Sequence, residues 1–404
     1  MLKNTTVFFI VFSLGFLTSS CNSSQNTAIS FATPSFQTTA TSTLAPEYDG
    51  LITTLGETVK SPWWIAIPAF SPDGKMVTLV SEKVRIWNTE TQKIIYELEK
   101  PYSNCYTENV VFSSDGKLLA TSIYCITDTE STGHVLIWNT ESGVLLHDWE
   151  QKFSKNTSKI DGVLNTHPAT GIAFLPKSSV LAFANGNTIE IKDVLGEGKT
   201  AVLELGDEMV ATNISISRNG KRLFAFMDFS YWKLPHDIGQ KYALQTWDLE
   251  SYKQVKQMDI PEPDNIGSFY GHFDVEIKLT GTNLIKTDYI NKTFTITDIE
   301  TGNSRDLYYL GDVKVFISQN TNYISYLPNL FDCKNQGIKL WDTYRNQSLH
   351  VFHDSEANFV TEFCHGQSEI IFNSDNTILA IAHEERLSLW DISSFTKPKE
   401  STIP

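Results

Sequence analysis

From about Gly50 onward, short runs of alternating apolar and polar residues follow one another, bounded by turn-forming residues. A period of two is the mark of a half-buried strand. Apolar pairs flank polar turns in the same way several times over. Ala69-Phe70 and Met76-Val77 do so, as do Val111-Phe112 and Leu118-Leu119, and Ile371-Phe372 and Ile378-Leu379. No long segment carries the 3.6-residue period of an amphipathic helix, so the pattern predicts an all-β chain.

Two turns recur in alternation. The first is Ser71-Pro72-Asp73-Gly74-Lys75, with strong copies at Ser114–Lys117 and Arg218–Lys221. Weaker copies lie at Lys177–Ser179, Gly281–Asn283, Gln319–Thr321 and Ser374–Asn376. Pro presets φ at the first corner, Asp or Asn bonds to nearby backbone, and Gly accepts positive φ. The second turn follows Val84-Arg85-Ile86-Trp87-Asn88 and is opened by Asn88, Asn139, Asp193, Asp248, Asp298, Asp342 and Asp391. A short Asx side chain accepts backbone hydrogen bonds there. The residue before it is Trp87, Trp138, Trp247, Trp341 and Trp390 in five copies, and Lys192 and Thr297 in the other two. An indole at that place offers a broad apolar face for packing between neighbouring sheets.

The order of strand, Ser-Pro-Asp-Gly-like turn, strand, loop, strand ending in Trp-Asp or Trp-Asn, turn and strand resembles the WD40 repeat. The marker positions recur at intervals of 44 to 55 residues, near or above the roughly 40–45 of that family. The resemblance covers about residues 60 to 395 and implies a seven-bladed β-propeller of WD40 type. The Ser-Pro-Asp-Gly turn is also similar to repeats of TolB-like propellers. The family's Gly-His dipeptide is met only at Gly271-His272, so its inner hydrogen-bond network is expected to be missing from most blades. The seventh copy ends after its third strand at Asp391. Leu51–Leu55 has strand character, and the resemblance implies that it closes the ring as the outer strand of the last blade, leaving no long exposed edge.

The first residues read differently. Lys3 supplies a positive start, Val7–Leu17 is apolar but short for a membrane span, and Ser19 and Ser20 precede Cys21. This resembles the lipobox of bacterial lipoproteins, in which the Cys is lipidated and becomes the mature N-terminus. Thr18 stands where that family prefers an aliphatic residue. An ordinary signal peptide cut nearby would instead leave Cys21 as a thiol or a disulfide partner. Asn22–Pro46 is rich in Ser, Thr, Ala, Gln and Asn and has no charged residue, a composition that reads as a flexible tether. The expected layout is therefore a signal peptide at 1–20, a lipid attachment site and tether at 21–47, a propeller at 48–396 and a tail at 397–404. The protein is expected to be exported, anchored to the cell membrane or envelope by lipid, and outward-facing.

Of 404 residues, 20% are charged and 12% aromatic, and the formal net charge is −15. Such a surface repels phosphate backbones, so nucleic acid is not an expected partner. Four Cys remain beside Cys21, an even number in an exported chain. The propeller arrangement implies pairs Cys105–Cys125 and Cys333–Cys364. Each would join a loop before a first strand to a loop after a second strand, the two opening on one face, provided the Cα atoms come within about 5–6 Å. The long loops fall on that face as well, and such loops on a rigid scaffold often carry binding residues. Phe229, Tyr231, Trp232, His236 and Tyr242 lie in one loop segment, and Tyr326 and Phe331 in another. These seven are the candidate partner-binding face, since aromatic-rich loops suit protein or sugar surfaces. Packing of those rings onto the blade below is the plainer alternative.

No Ser elbow, His-Glu-x-x-His, phosphate loop or clustered Cys/His spacing is present. Asp128-Thr129-Glu130 could meet a cation but reads as an exposed acidic loop, and the nine His are scattered. No catalytic residue, cofactor or metal is therefore assigned. The expected function is a monomeric, non-catalytic scaffold for a protein partner. The rival expectation is a propeller enzyme or carbohydrate-binding protein with its site at the mouth of the central channel.

Overall fold

The structure is a computed structural model. It describes residues 50–56, 66–103, 105–126, 131–151, 159–160, 163–164, 170–196, 201–206, 209–228, 242–260, 275–288, 293–308, 315–326, 338–352, 369–383 and 385–396. A strand β1 (Leu51–Gly56) precedes blade one, which is β2 (Ile67–Phe70), β3 (Met76–Val80), β4 (Lys83–Asn88) and β5 (Ile94–Glu99). Blade two is β6 (Cys105–Phe112), β7 (Leu118–Ile126), β8 (Ser131–Asn139) and β9 (Leu145–Gln151). A small hairpin of β10 (Lys159–Ile160) and β11 (Val163–Leu164) follows. Blade three is β12 (Ile172–Phe174), β13 (Val180–Asn185), β14 (Thr188–Asp193) and β15 (Ala201–Glu204). Blade four is β16 (Ala211–Ile216), β17 (Arg222–Asp228), β18 (Tyr242–Asp248) and β19 (Lys253–Ile260). Blade five is β20 (Val275–Thr280), β21 (Asn283–Asp288), β22 (Thr293–Asp298) and β23 (Ser304–Tyr308). Blade six is β24 (Val315–Ile317), β25 (Tyr323–Tyr326), β26 (Ile338–Asp342) and β27 (Gln347–Phe352). Blade seven is β28 (Glu369–Phe372), β29 (Ile378–His383) and β30 (Arg386–Asp391), with a helical turn, α1 (Ser393–Thr396), after it.

Each blade is a four-stranded antiparallel sheet, and β1 is the fourth strand of blade seven. The expected closure is thus observed: Leu55 pairs with Leu387 and Leu51 with Trp390. First strands meet first strands around the centre, β2 touching both β6 and β28. The result is a seven-bladed β-propeller of WD40 type, closed by its N-terminal strand.

The repeated turns do what their residues suggest. In blade one the Ser71 hydroxyl donates to Asp73 Oδ1 (2.7 Å), which also accepts the Lys75 N–H (3.1 Å). Gly74 takes φ 72°. Ser71 Oγ then accepts the Met76 N–H at 2.9 Å. Ser113, Ser217 and Ser318 repeat that bond to the backbone five residues on. At the second turn all seven Asx side chains accept backbone N–H groups, from Asn88 with Thr91 (2.7 Å) to Asp391 with Ser393 (2.8 Å).

The marker residues share one register. Trp87, Trp138, Lys192, Trp247, Thr297, Trp341 and Trp390 pair with Val77, Leu119, Leu181, Leu223, Leu284, Ile324 and Leu379. Each Trp packs against the blade before its own: Trp138 beside Val84 and Ile86, Trp247 beside Ala182 and Ile189. A β-bulge in the outer strand accompanies every one of the five Trp. The extra residue is always aliphatic: Ile52, Ile95, Leu146, Val255 and Leu349. Blades three and five, without Trp, pair their outer strands with no shift over the described lengths. A bulge bends a strand and increases its twist, so the outer strand departs from plain pairing where an indole is seated.

Candidate functional site

Links between second and third strands, and links between blades, leave one end of the ring. The two repeated turns occupy the other end. Tyr242 opens β18 and Tyr326 closes β25, so both are strand-end residues rather than loop residues. Phe229, Tyr231, Trp232, His236 and Phe331 lie outside the described residues, as do Cys21, Cys333, Cys364 and Asp128–Glu130.

Cys105 and Cys125 form a disulfide with a Cα separation of 3.9 Å. Their placement corrects the sequence reading. They are not in loops but directly opposite each other in the β6–β7 ladder. Blade two has longer strands than blade one, nine residues in β7 against five in β3, and these absorb both cysteines. Directly opposed residues of an antiparallel pair lie closer than the separation expected for loops.

Beside the disulfide lies a charged cluster that the sequence did not disclose. Glu385, in the β29–β30 turn of blade seven, is 3% exposed. Its Oε2 accepts from Arg85 Nη1 at 2.5 Å, and its Oε1 accepts from Ser81 Oγ at 3.3 Å. Arg85 Nε donates to Glu97 (3.0 Å), which also receives Lys83 (2.6 Å). The Lys83 ammonium beside it holds the Glu97 carboxyl below its usual range. Lys100 donates to the Ser81 and Cys105 carbonyls. Burial pushes its amine down to about 8. A Cβ at Gly56 would collide with the Glu385 carbonyl oxygen, and Gly56 has φ +86°, so only Gly lets the closing strand end there. The cluster therefore bolts blade seven to blade one. Arg85 and Glu385 are 300 positions apart, so no local motif announces them.

Two other polar groups bear on chemistry. Asp148 accepts from Tyr102 Oη (2.6 Å) and meets His134 Nδ1 (2.8 Å). Burial, and then the Asp148 carboxylate, push the Tyr102 phenol up to about 12. Such a group holds its proton and orients its neighbours rather than transferring one at neutral pH. Glu108 sits where the innermost strand β6 bulges, and burial raises its carboxyl pKa. Among the described residues, no group of three or more His, Cys, Asp or Glu is placed to hold a metal ion.

No protein-family model and no curated protein matches the chain. Among solved structures it is similar to a chain of a mitotic checkpoint complex, at 13% identity and a TM-score of 0.55, over 91% of this chain and 99% of that one. It is also similar to the β-propeller domain of Cps50 (Swd1) from Myceliophteria thermophila, at 14% identity and a TM-score of 0.54, over 85% of this chain and 99% of that one. At these identities the likeness is one of fold, the WD40-type propeller.

Proposed function

We propose that this protein is a non-catalytic interaction platform, exported and held at the cell envelope by lipid on Cys21. The observation that supports it is a closed ring in which the Glu385–Arg85 pair ties blade seven to blade one and the Cys105–Cys125 disulfide staples two strands of blade two. A cross-strand disulfide suits an oxidising compartment, and a stiff scaffold suits loops that bind. A propeller of the same architecture is a component of a mitotic checkpoint complex, and fold alone does not fix function. Binding is assigned to the face bearing Phe229, Tyr231, Trp232, His236, Tyr242, Tyr326 and Phe331. The second reading, an enzyme or carbohydrate-binding protein with a site at the channel mouth, draws on Glu108. Cross-linking on the full chain in envelope fractions tests the first. A specific protein partner, lost when Phe229, Tyr231 and Trp232 are changed together to Ala, is the expected result. Turnover of a glycoside or peptide library, abolished by Glu108→Gln, would replace it with the second. Cys21→Ser should release the protein from the membrane fraction.

A further inference from the structure

The third-strand Trp of one blade fills the seam with the blade before it, and two seams lack that ring. They are treated differently. At the seam of blades two and three, Lys192 replaces Trp. Trp149 from β9 of blade two fills in, stacking on Phe183 at 5.2 Å between centroids. Lys192 Nζ lies 5.1 Å from the centroids of both rings. Leu118 and Ile137 line this seam, both buried, and His147 Nε2 donates to the Val194 carbonyl at 2.8 Å.

At the seam of blades four and five, Thr297 replaces Trp. The pairing registers put Arg222 in the place of Leu118, Thr246 in that of Ile137, Lys256 in that of His147 and Met258 in that of Trp149. Met258 supplies no ring, Phe224 and Phe226 of β17 enter the seam in the places of Ala120 and Ser122, and a cleft of about 390 Å³ remains beside Phe224. Phe224 and Ile299, 1% and 5% exposed, form its apolar floor, and the bulged Val255 is half exposed beside it. Lys221, Arg222 and Lys256 stand around it, against a single carboxylate, Glu300. Arg222 is paired with Asp248. Among the described residues neither Lys221 nor Lys256 makes an ion pair. A cationic rim in a chain of net charge −15 is a local inversion of sign, and it selects an anionic ligand. The uncharged segment Asn22–Pro46 of the chain itself supplies no such charge.

We propose that this cleft binds an acidic peptide segment of a partner protein. An aromatic side chain enters the cleft on the side where five blades carry a third-strand indole, and flanking carboxylates meet Lys221, Arg222 and Lys256. An aromatic anchor in an apolar pocket with a charged rim is the usual form of an energetic hot spot. This deepens the reading of the protein as an interaction platform and rests on it, but places a site on the turn-bearing end rather than on the long-loop face.

The test uses the full chain and a fluorescent peptide array in which each member carries one Trp flanked by Asp and Glu. Matched arrays replace the Trp by Ala or the acids by Lys. The expected result is binding to the first array alone, weakened at least tenfold by about 0.5 M salt, where the Debye length falls to about 4 Å. Lys221→Glu with Lys256→Glu, both at exposed positions, should weaken it at least tenfold. Thr297→Trp should abolish it while leaving the melting transition unchanged or higher. No binding to the acidic array, equal binding to the Lys array, equal binding by either variant, or stronger binding to single-stranded DNA than to any peptide would each overturn the site. A partner captured through Phe229, Tyr231 and Trp232 would survive those outcomes, so failure here and failure of the platform reading are separable.

Discussion

The seams between blades two and three and between blades four and five start from the same deficit, a missing third-strand indole, and end differently. In the first, Trp149 is borrowed from the preceding blade's outer strand, stacks on Phe183 and sits with buried Leu118 and Ile137. In the second, Met258 stands in the borrowed position, Phe224 and Phe226 fill part of the seam, and a cleft remains where Arg222, Thr246 and Lys256 line it. A repeat can lose its signature residue at little cost if a neighbour replaces the lost volume, because packing density and not residue identity sets the stability of the seam. Where neighbours replace it only in part, the space that remains becomes available for a ligand.

The largest effect should come from a seam that has its own ring. Trp138 is 1% exposed, and Trp138→Ala should lower unfolding free energy by about 3–5 kcal/mol in a urea titration. Trp149→Ala comes next, at roughly 2 kcal/mol for a half-buried ring. A loss under about 0.5 kcal/mol would mean that the ring is not a replacement and would break the comparison. Lys192→Trp should cost about 1–2 kcal/mol, because the space is already filled. In a Trp149→Ala background the same change should become favourable, which a double-mutant cycle would measure. Thr297→Trp should gain about 1 kcal/mol by filling the cleft, and a comparable loss would show that the cleft is not an indole-sized vacancy.

The smallest effect concerns Asp248, at the edge of that cleft. The Ser251 N–H, then its hydroxyl and Arg222, hold this carboxyl down to about 2. A folded-state pKa below the unfolded value contributes stability above the unfolded pKa, near 4, that is lost as pH falls toward 2. Asp248→Asn should therefore flatten the acid limb of a stability-against-pH curve over that window, and an unchanged limb would sink the assignment.

Much of the ring was legible because its determinants are local. An Asx turn is specified by a few consecutive residues, so seven of them count seven blades even where Lys192 and Thr297 stand for Trp. The closing strand was legible because Leu51–Leu55 has strand character and the last blade lacks a partner. The Cys105–Cys125 pair is implied by the repeat, but its place inside a ladder is not, since strand length in blade two depends on pairing that turn residues do not reveal. The outer-strand bulges are hidden for a similar reason: one extra aliphatic residue in Ile94-Ile95 or Leu145-Leu146 looks like ordinary strand sequence until the pairing is known.

What the sequence determined by itself, then, is the repeat: the alternation, the two turns and the Trp positions follow from backbone preferences acting over a few residues. The tertiary structure decided what lies between repeats. Whether Arg85 finds Glu385, whether Trp149 covers Lys192, and whether a cleft stays open beside Lys221 and Lys256 all depend on residues tens to hundreds of positions apart. Such contacts form only when the ring closes and brings the faces of neighbouring sheets together.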